Sequence, residues 1–249
     1  MQPRNPPIVE LVISTQFATE RPVDTTKLVL FWNKDLRDNY PDATEAPAIE
    51  DTFEKFGDNV RWQQPSIRVN LETTPQLRFQ FTNPAKDRMV QLQPTRLILN
   101  WLRKNEAYPR FSALREEFSE RFASWQAFAG SQDIGEVIPN QWELCYVNFI
   151  PQGELWNTPG DWHRVSSLFV ASVSAFEPLV LEDRTFQWRM QLPDAKGRIT
   201  LSVGQVKNGD GQLGMRLVIL ARGPASTDAE VVDRLQTAHD EIIKLFDRL

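Results

Sequence analysis

Basic and aromatic side chains meet most densely in "VQLQPTRLILNWLRK", Val90 to Lys104, and in the "YPR" that follows. Arg96, Arg103, Lys104 and Arg110 offer cations, Asn100 an amide, and Trp101 and Tyr108 rings. These residue types suit a nucleic-acid surface on which basic groups meet phosphate and an aromatic ring stacks a base. The nucleic-acid candidates are therefore Arg96, Asn100, Arg103, Lys104, Tyr108 and Arg110. A formal net charge of −5 works against them, because the overall field repels a polyanion and the patch would have to act locally.

A second group lies in "PQGELWNTPGDWHRVSS", where Trp156, Trp162 and His163 form a candidate partner-binding surface. Tryptophan is favoured at interface hot spots; the competing reading is that both indoles cap the core beneath a long loop. Asp161 and His163 have the spacing to orient one another if the segment is extended. Cys145 has no basic neighbour in sequence and reads as a small buried hydrophobe, and His239 reads as a surface residue of the last helix. Neither histidine has a second histidine or a cysteine nearby, so no metal site is expected. "GDGQLG" has a superficial glycine spacing but sits where a hairpin turn is needed. No phosphate loop, dinucleotide fingerprint, nucleophile elbow or paired-cysteine motif occurs. No catalytic residue and no cofactor is assigned, and the reading leans away from an enzyme.

The elements that must position these residues follow from periodicity. "IVELVISTQF" puts Val9, Leu11, Ile13 and Phe17 on one face and Glu10, Ser14 and Gln16 on the other, a half-buried strand. Leu28, Phe31, Trp32 and Leu36 are spaced for a helix capped by Asp24 or Thr25. From Tyr40 to Pro75 an Asp-, Glu- and Pro-rich connection is expected, with a brief helix over Asp51 to Phe56. "QLRFQF" and the strand from Val90 form a hairpin about "TNPAKD". The apolar parity, Val90 and Leu92, changes after Pro94 to Leu97, Leu99 and Trp101, which predicts a β-bulge or an edge position at the proline. Leu114, Phe118, Phe122, Trp125 and Phe128 predict a helix with Ser112 as N-cap and Gly130 as stop. "QWELCYVNFI" is apolar on both parities, as a central strand is. "RTFQWRMQL", "RITLSVGQV" and "GMRLVILAR" form a meander, and Thr227 with Glu230 opens a closing helix whose seam runs Val231, Leu235, Ala238, Ile242, Leu245 and Leu249.

The order predicts an α+β fold with mainly antiparallel sheet, its first half a ferredoxin-like βαββαβ unit, followed by a three-stranded meander and a C-terminal helix. Residues 1–249 read as one compact unit with possible lobes 1–150 and 162–249 and a boundary near Pro151 to Asp161. A single cysteine, no secretory leader in the first thirty residues and no apolar run near the roughly 20 residues that cross a bilayer point to a cytoplasmic protein off the membrane.

"NPPIVELVISTQF", "VQLQPTRLILNWLRK" with "YPRF", and "ELCYVNFI" together resemble a sporadically distributed, uncharacterised bacterial family of similar length. Its members open on a Pro-Pro-Ile-Val-Glu strand and carry an Asn-Trp…Tyr-Pro stretch before a helix. The resemblance implies an accessory or defence-associated factor and carries no site residues. Three functions are then expected in order: a non-enzymatic protein that binds a protein partner or itself, a nucleic-acid-associated protein using the basic-aromatic patch, or a sheet and helix enclosing a hydrophobic ligand.

Overall fold

The computed structural model describes residues 6–56, 77–104, 108–169 and 179–247. Alternating side chains set β1 (Ile8–Thr19) with Leu11, Ile13 and Phe17 buried on one face. Helix α1 (Thr25–Phe31) starts where Asp24 Oδ1 accepts from the Thr26 amide at 2.7 Å, and it runs on through a π-helical turn at Trp32–Leu36. The remaining strands are β2 (Asp42–Pro47), β3 (Leu77–Thr82), β4 (Arg88–Gln93), β5 (Arg96–Leu102), β6 (Val137–Pro151), β7 (Thr185–Gln191), β8 (Arg198–Lys207) and β9 (Leu213–Pro224). Helices α2 (Phe111–Ser131) and α3 (Asp228–Phe246) complete the regular elements among the described residues. None of the described helices is long and apolar enough to cross a membrane.

The fold is α+β, built on one antiparallel sheet of nine strands in the order β2-β3-β4-β5-β1-β6-β9-β8-β7. The meander therefore extends the sheet of the first half, because β6 pairs with β9 from Gln141↔Pro224 to Pro151↔Gly214. The boundary expected near Pro151 to Asp161 falls at the end of β6, yet the strands on either side of it share this ladder. Helix α1 lies against β3 and β4, α2 against β5 and β1, and α3 against β6 and α2, all on one face. No α-helix of the described residues is seated on β7, only the 3-10 turns Pro159–Arg164 and Ser167–Phe169. The loop after β6 does that work instead, stacking Phe169 on Phe186 at 5.9 Å and Trp162 near Phe186 at 6.3 Å.

Four local expectations are corrected. Pro94 is neither a bulge nor an edge: Pro94 and Thr95 are the two-residue turn of a hairpin, with Gln93 opposite Arg96 and Leu92 opposite Leu97. A tight turn changes apolar parity just as a bulge does, and it places Val90, Leu92, Leu97, Leu99 and Trp101 all in the core. Asp51 to Phe56 is not helical. The polar connection contains an edge strand that its composition does not announce, β2, pairing Asp42↔Thr82 through Pro47↔Leu77. Helix α2 begins at Phe111 with Arg110 in the capping position and no side-chain cap, so Ser112 is already inside it. The capping residue Thr227 accepts from the Glu230 amide at 3.2 Å as expected, and of the expected α3 seam Val231, Leu235, Ala238 and Ile242 are buried, Leu245 is half-buried and Leu249 lies outside the described residues. The Glu230 carboxylate reaches back to Ser226 rather than to Thr227.

Candidate functional site

The helices leave the other face of the sheet without regular cover among the described residues, and there the sequence places amides and ions in lateral rows. Register sets Gln93 opposite Arg96, Arg96 opposite Gln16, and Gln16 opposite Gln141, one row across β4, β5, β1 and β6. The adjoining row runs Gln91, Ile98, Ser14, Glu143, Arg222 and Arg198. Nearer the β2 side, Gln80 Nε2 donates to Gln91 Oε1 at 3.1 Å, Gln91 Nε2 to Asn100 Oδ1 at 2.6 Å, and Asn100 Nδ2 to Glu10 Oε1 at 2.7 Å. Sheet geometry makes such chains possible, since facing side chains of adjacent strands lie about 5 Å apart.

Over the first row passes the segment 48–56, held by its main chain. Gln93 takes Ile49 at both ends, accepting from its N–H at 2.9 Å and donating to its carbonyl at 2.8 Å. Gln16 Oε1 accepts from the Thr52 amide at 3.1 Å, and Gln141 Oε1 from the Glu54 amide at 3.2 Å. Three glutamines of three different strands thus satisfy the polar backbone of a segment that forms no ladder of its own. The segment is anchored at its far end by charge: Glu54 pairs with Arg198 and, at 3.6 Å, with Arg222, while Arg198 lies 5.0 Å over the Phe56 ring. Of its apolar side chains Phe56 is half-buried, while Phe53 is 59% exposed and Ile49 37% exposed. We call this segment the strap.

The residues expected to form a nucleic-acid patch are divided by this geometry. Arg96 is 3% exposed, donates to Gln16 Oε1 at 2.7 Å and lies 3.8 Å from Glu143, so it is a structural cation of the first row. Asn100 is buried in the amide chain on the same face. Arg103 stands seven residues further along from Arg96, about 23 Å at strand rise, and its guanidinium donates to the Pro6 carbonyl at 2.6 Å. Tyr108 packs edge-on to Trp101 at 5.2 Å, on the helix side, and its hydroxyl lies 3.5 Å from that of Tyr146. Lys104 and Arg110 are exposed. Arg96 therefore lies on the opposite face and at the opposite strand end from Trp101 and Tyr108, because alternate residues of β5 face apart.

Trp156 and Trp162, candidates for a recognition surface with core-capping as the competing reading, are both fully buried, edge to face at 6.0 Å, so they cap the core. Trp156 Nε1 donates to the Ile150 carbonyl at 3.2 Å, which folds the loop back onto its own strand. The capping has a physical cause: without an α-helix of the described residues seated on β7, the loop supplies its apolar cover. His163 is exposed and hydrogen-bonded to the Gly160 carbonyl. Asp161 does not orient it, since its carboxylate accepts from the amides of Thr158 and Asn157, and those bonds hold it below the usual carboxylate range. Cys145 is pushed up to about 12 by burial, with Glu143 and Glu10 adding to the effect, so its thiol stays protonated at neutral pH.

His239, expected at the surface, is instead held under α3 between Phe111, stacked at 4.2 Å, and the Tyr146 hydroxyl, 2.7 Å from Nδ1. Burial lowers its pKa, Arg115 acts in the same direction, and Asp240 opposes. The folded chain then binds fewer protons at this site than the unfolded chain, whose imidazole titrates near 6.5. Stability tied to this site is full above that value and is lost as pH falls through the folded one. His239→Gln should remove this part of the slope, so that the unfolding free energies of wild type and variant in urea draw together as pH falls from about 7 to about 5. Parallel slopes would show that the imidazole titrates freely.

Among the described residues no group of three His, Cys, Asp or Glu side chains could hold a metal ion. No family model matches the chain, and no curated protein matches it significantly. Gln16, Gln93 and Gln141 carry one signal in sequence, their place on the wet parity of their strands. Nothing local reveals that the strap returns to cover them.

Proposed function

We propose that this chain is a non-enzymatic interaction protein, an accessory factor that displays the strap to a protein partner from the helix-free face of its sheet. The observation that carries the reading is the opposed use of the two sides of residues 48–56. The main chain is bound by Gln93, Gln16 and Gln141, while Ile49 and Phe53, both apolar, are left in solvent. An exposed aromatic on an immobilised backbone binds with little ordering cost, which is what makes a hot spot effective. The acidic residues Glu50 and Asp51 beside them favour a partner with a basic rim. We further read β1 to β6 as a ferredoxin-like unit with two strands inserted before its first hairpin. The order β4-β5-β1-β6, with α1 and α2 in the two crossovers, supports that reading.

The test is the double variant Ile49→Ser/Phe53→Ser. Both side chains touch solvent, so its unfolding free energy should stay within about 0.5 kcal/mol of wild type. A photo-crosslinking residue at position 53 of the wild-type chain, expressed in its native cell, should give discrete protein adducts that the serine variant no longer co-purifies. Undiminished co-purification with the serine variant, or robust turnover by the wild-type chain in an unbiased substrate screen, overturns the proposal.

A further inference from the structure

The two edges of the sheet are unlike. β2 carries Asp42, Glu45 and Pro47, a charged edge interrupted by a residue that cannot donate to a ladder. β7, at the other edge, reads Thr-Phe-Gln-Trp-Arg-Met-Gln, with neither proline nor an acidic residue, and among the described residues no strand pairs with its outer side. It is largely exposed, and Met190 is 37% open to solvent. Its pairing with β8 sets Phe186, Trp188 and Met190 opposite Val203, Leu201 and Ile199 on the helix side, and Gln187 and Arg189 opposite Ser202 and Thr200 on the other.

We infer that β7 is an association edge for a second copy of this chain, joined antiparallel about a two-fold axis at Trp188. The register follows from the residues. Centring on Trp188 pairs all seven positions: Trp188 meets Trp188 of the second copy, Phe186 meets Met190, Gln187 meets Arg189, and Thr185 meets Gln191. Each apolar side chain then faces an apolar one on the helix side, and each polar one a polar one on the other. No like charges are opposed, because the single cation of the strand faces an amide. A slip by one residue would set Gln187 against Trp188 and oppose apolar to polar side chains, a slip of two toward Arg189 would oppose the two cations, and a slip of two toward Gln187 would leave two residues of each strand unpaired, so the Trp188 register is the fullest match. A second copy fits better than an unrelated peptide because the strand complements itself in polarity along its whole length and opposes no like charges. An isologous contact of this kind closes at a dimer, leaving only β2, the protected edge, at each end of the joined sheet. The inference rests on β7 alone and is independent of the strap.

The register supplies its own test. Gln187 is exposed, and in the joined sheet it faces Arg189 of the second copy twice, once on each side of the axis. Gln187→Glu creates two opposite-charge pairs and Gln187→Lys two like-charge pairs. Sedimentation of the full chain over a concentration series should show a monomer–dimer equilibrium. The dimer constant should tighten for Gln187→Glu and weaken for Gln187→Lys, each by roughly two- to thirtyfold at low salt, with both shifts shrinking as salt rises. Hydrogen exchange of the β7 amides should slow with protein concentration in parallel. A chain that stays monomeric throughout, a dimer indifferent to both substitutions, or one that both shift in the same direction overturns the inference.

Discussion

Replacing Trp125 by alanine is expected to destabilise the protein by about 3–5 kcal/mol, the range for a large buried aromatic truncated in a well-packed core. Trp125 is completely buried on α2, where it contacts Phe31 edge-on at 5.2 Å, Phe128 at 5.8 Å and Phe17 at 6.3 Å. It is the point at which both crossover helices and the central strand meet, so neighbouring side chains cannot close the space without shifting an element. Its indole nitrogen is buried with no hydrogen-bond acceptor among the described residues. Trp125→Phe should therefore cost far less, under about 1.5 kcal/mol, because the change removes an unsatisfied donor along with some volume. Denaturant unfolding of the two variants, with matched slopes against denaturant, measures the contrast. Equal costs would mean that the indole nitrogen does find an acceptor, and an alanine cost below about 1 kcal/mol would mean that α2 is not seated on the sheet through this residue.

The burial of Trp125 is legible in the amino-acid sequence alone. The spacing of Leu114, Phe118, Phe122, Trp125 and Phe128 admits only one face of a helix, and each of these side chains is buried. The alternation of β1 and of the meander strands is equally plain, since half-buried strands record burial in every second residue. Structure that leaves no apolar trace does not show in this way. β2 lies at an edge with largely exposed side chains, so Asp-Ala-Thr-Glu-Ala-Pro can pair there without a hydrophobic pattern. The change of parity at Pro94 is produced alike by one extra residue and by a two-residue turn, and only the partner strand decides between them.

The candidate site is less legible than the fold because its parts are joined by tertiary return, not by spacing. Gln93, Gln16 and Gln141 are far apart in sequence and meet only through the order β4-β5-β1-β6. Tryptophans in a loop look alike whether they cap a core or face a partner; Trp156 and Trp162 are committed to the core where no α-helix of the described residues is seated on β7. His239 borders the α3 seam one position after Ala238, and its burial depends on Phe111 and Tyr146 arriving from other elements.

The same tertiary return reassigns Arg96, and a substitution of its neighbour tests the reassignment. Glu143→Leu is expected to cost about 2–4 kcal/mol, whereas an exposed carboxylate on an open face would change stability by no more than about 0.5 kcal/mol. Glu143 bridges Arg96 at 3.8 Å and Arg222 at 3.6 Å. Arg222 keeps a second carboxylate in Glu54, but Arg96 is buried, and its Nε has no acceptor. Burial already lowers the pKa of Arg96, with Arg222 adding to this while Glu143 and Asp51 oppose it. A guanidinium nevertheless remains charged at any pH the fold survives, so losing Glu143 leaves an under-compensated cation rather than a neutral group. Removing that cation as well should recover part of the loss. Arg96→Met/Glu143→Leu is expected to be more stable than Glu143→Leu by about 1 kcal/mol or more, a non-additivity that a double-mutant cycle reads directly. Strict additivity would place Arg96 in solvent, where a phosphate could reach it. Coupling of this size fixes it as the cation around which the amide row and the strap are assembled.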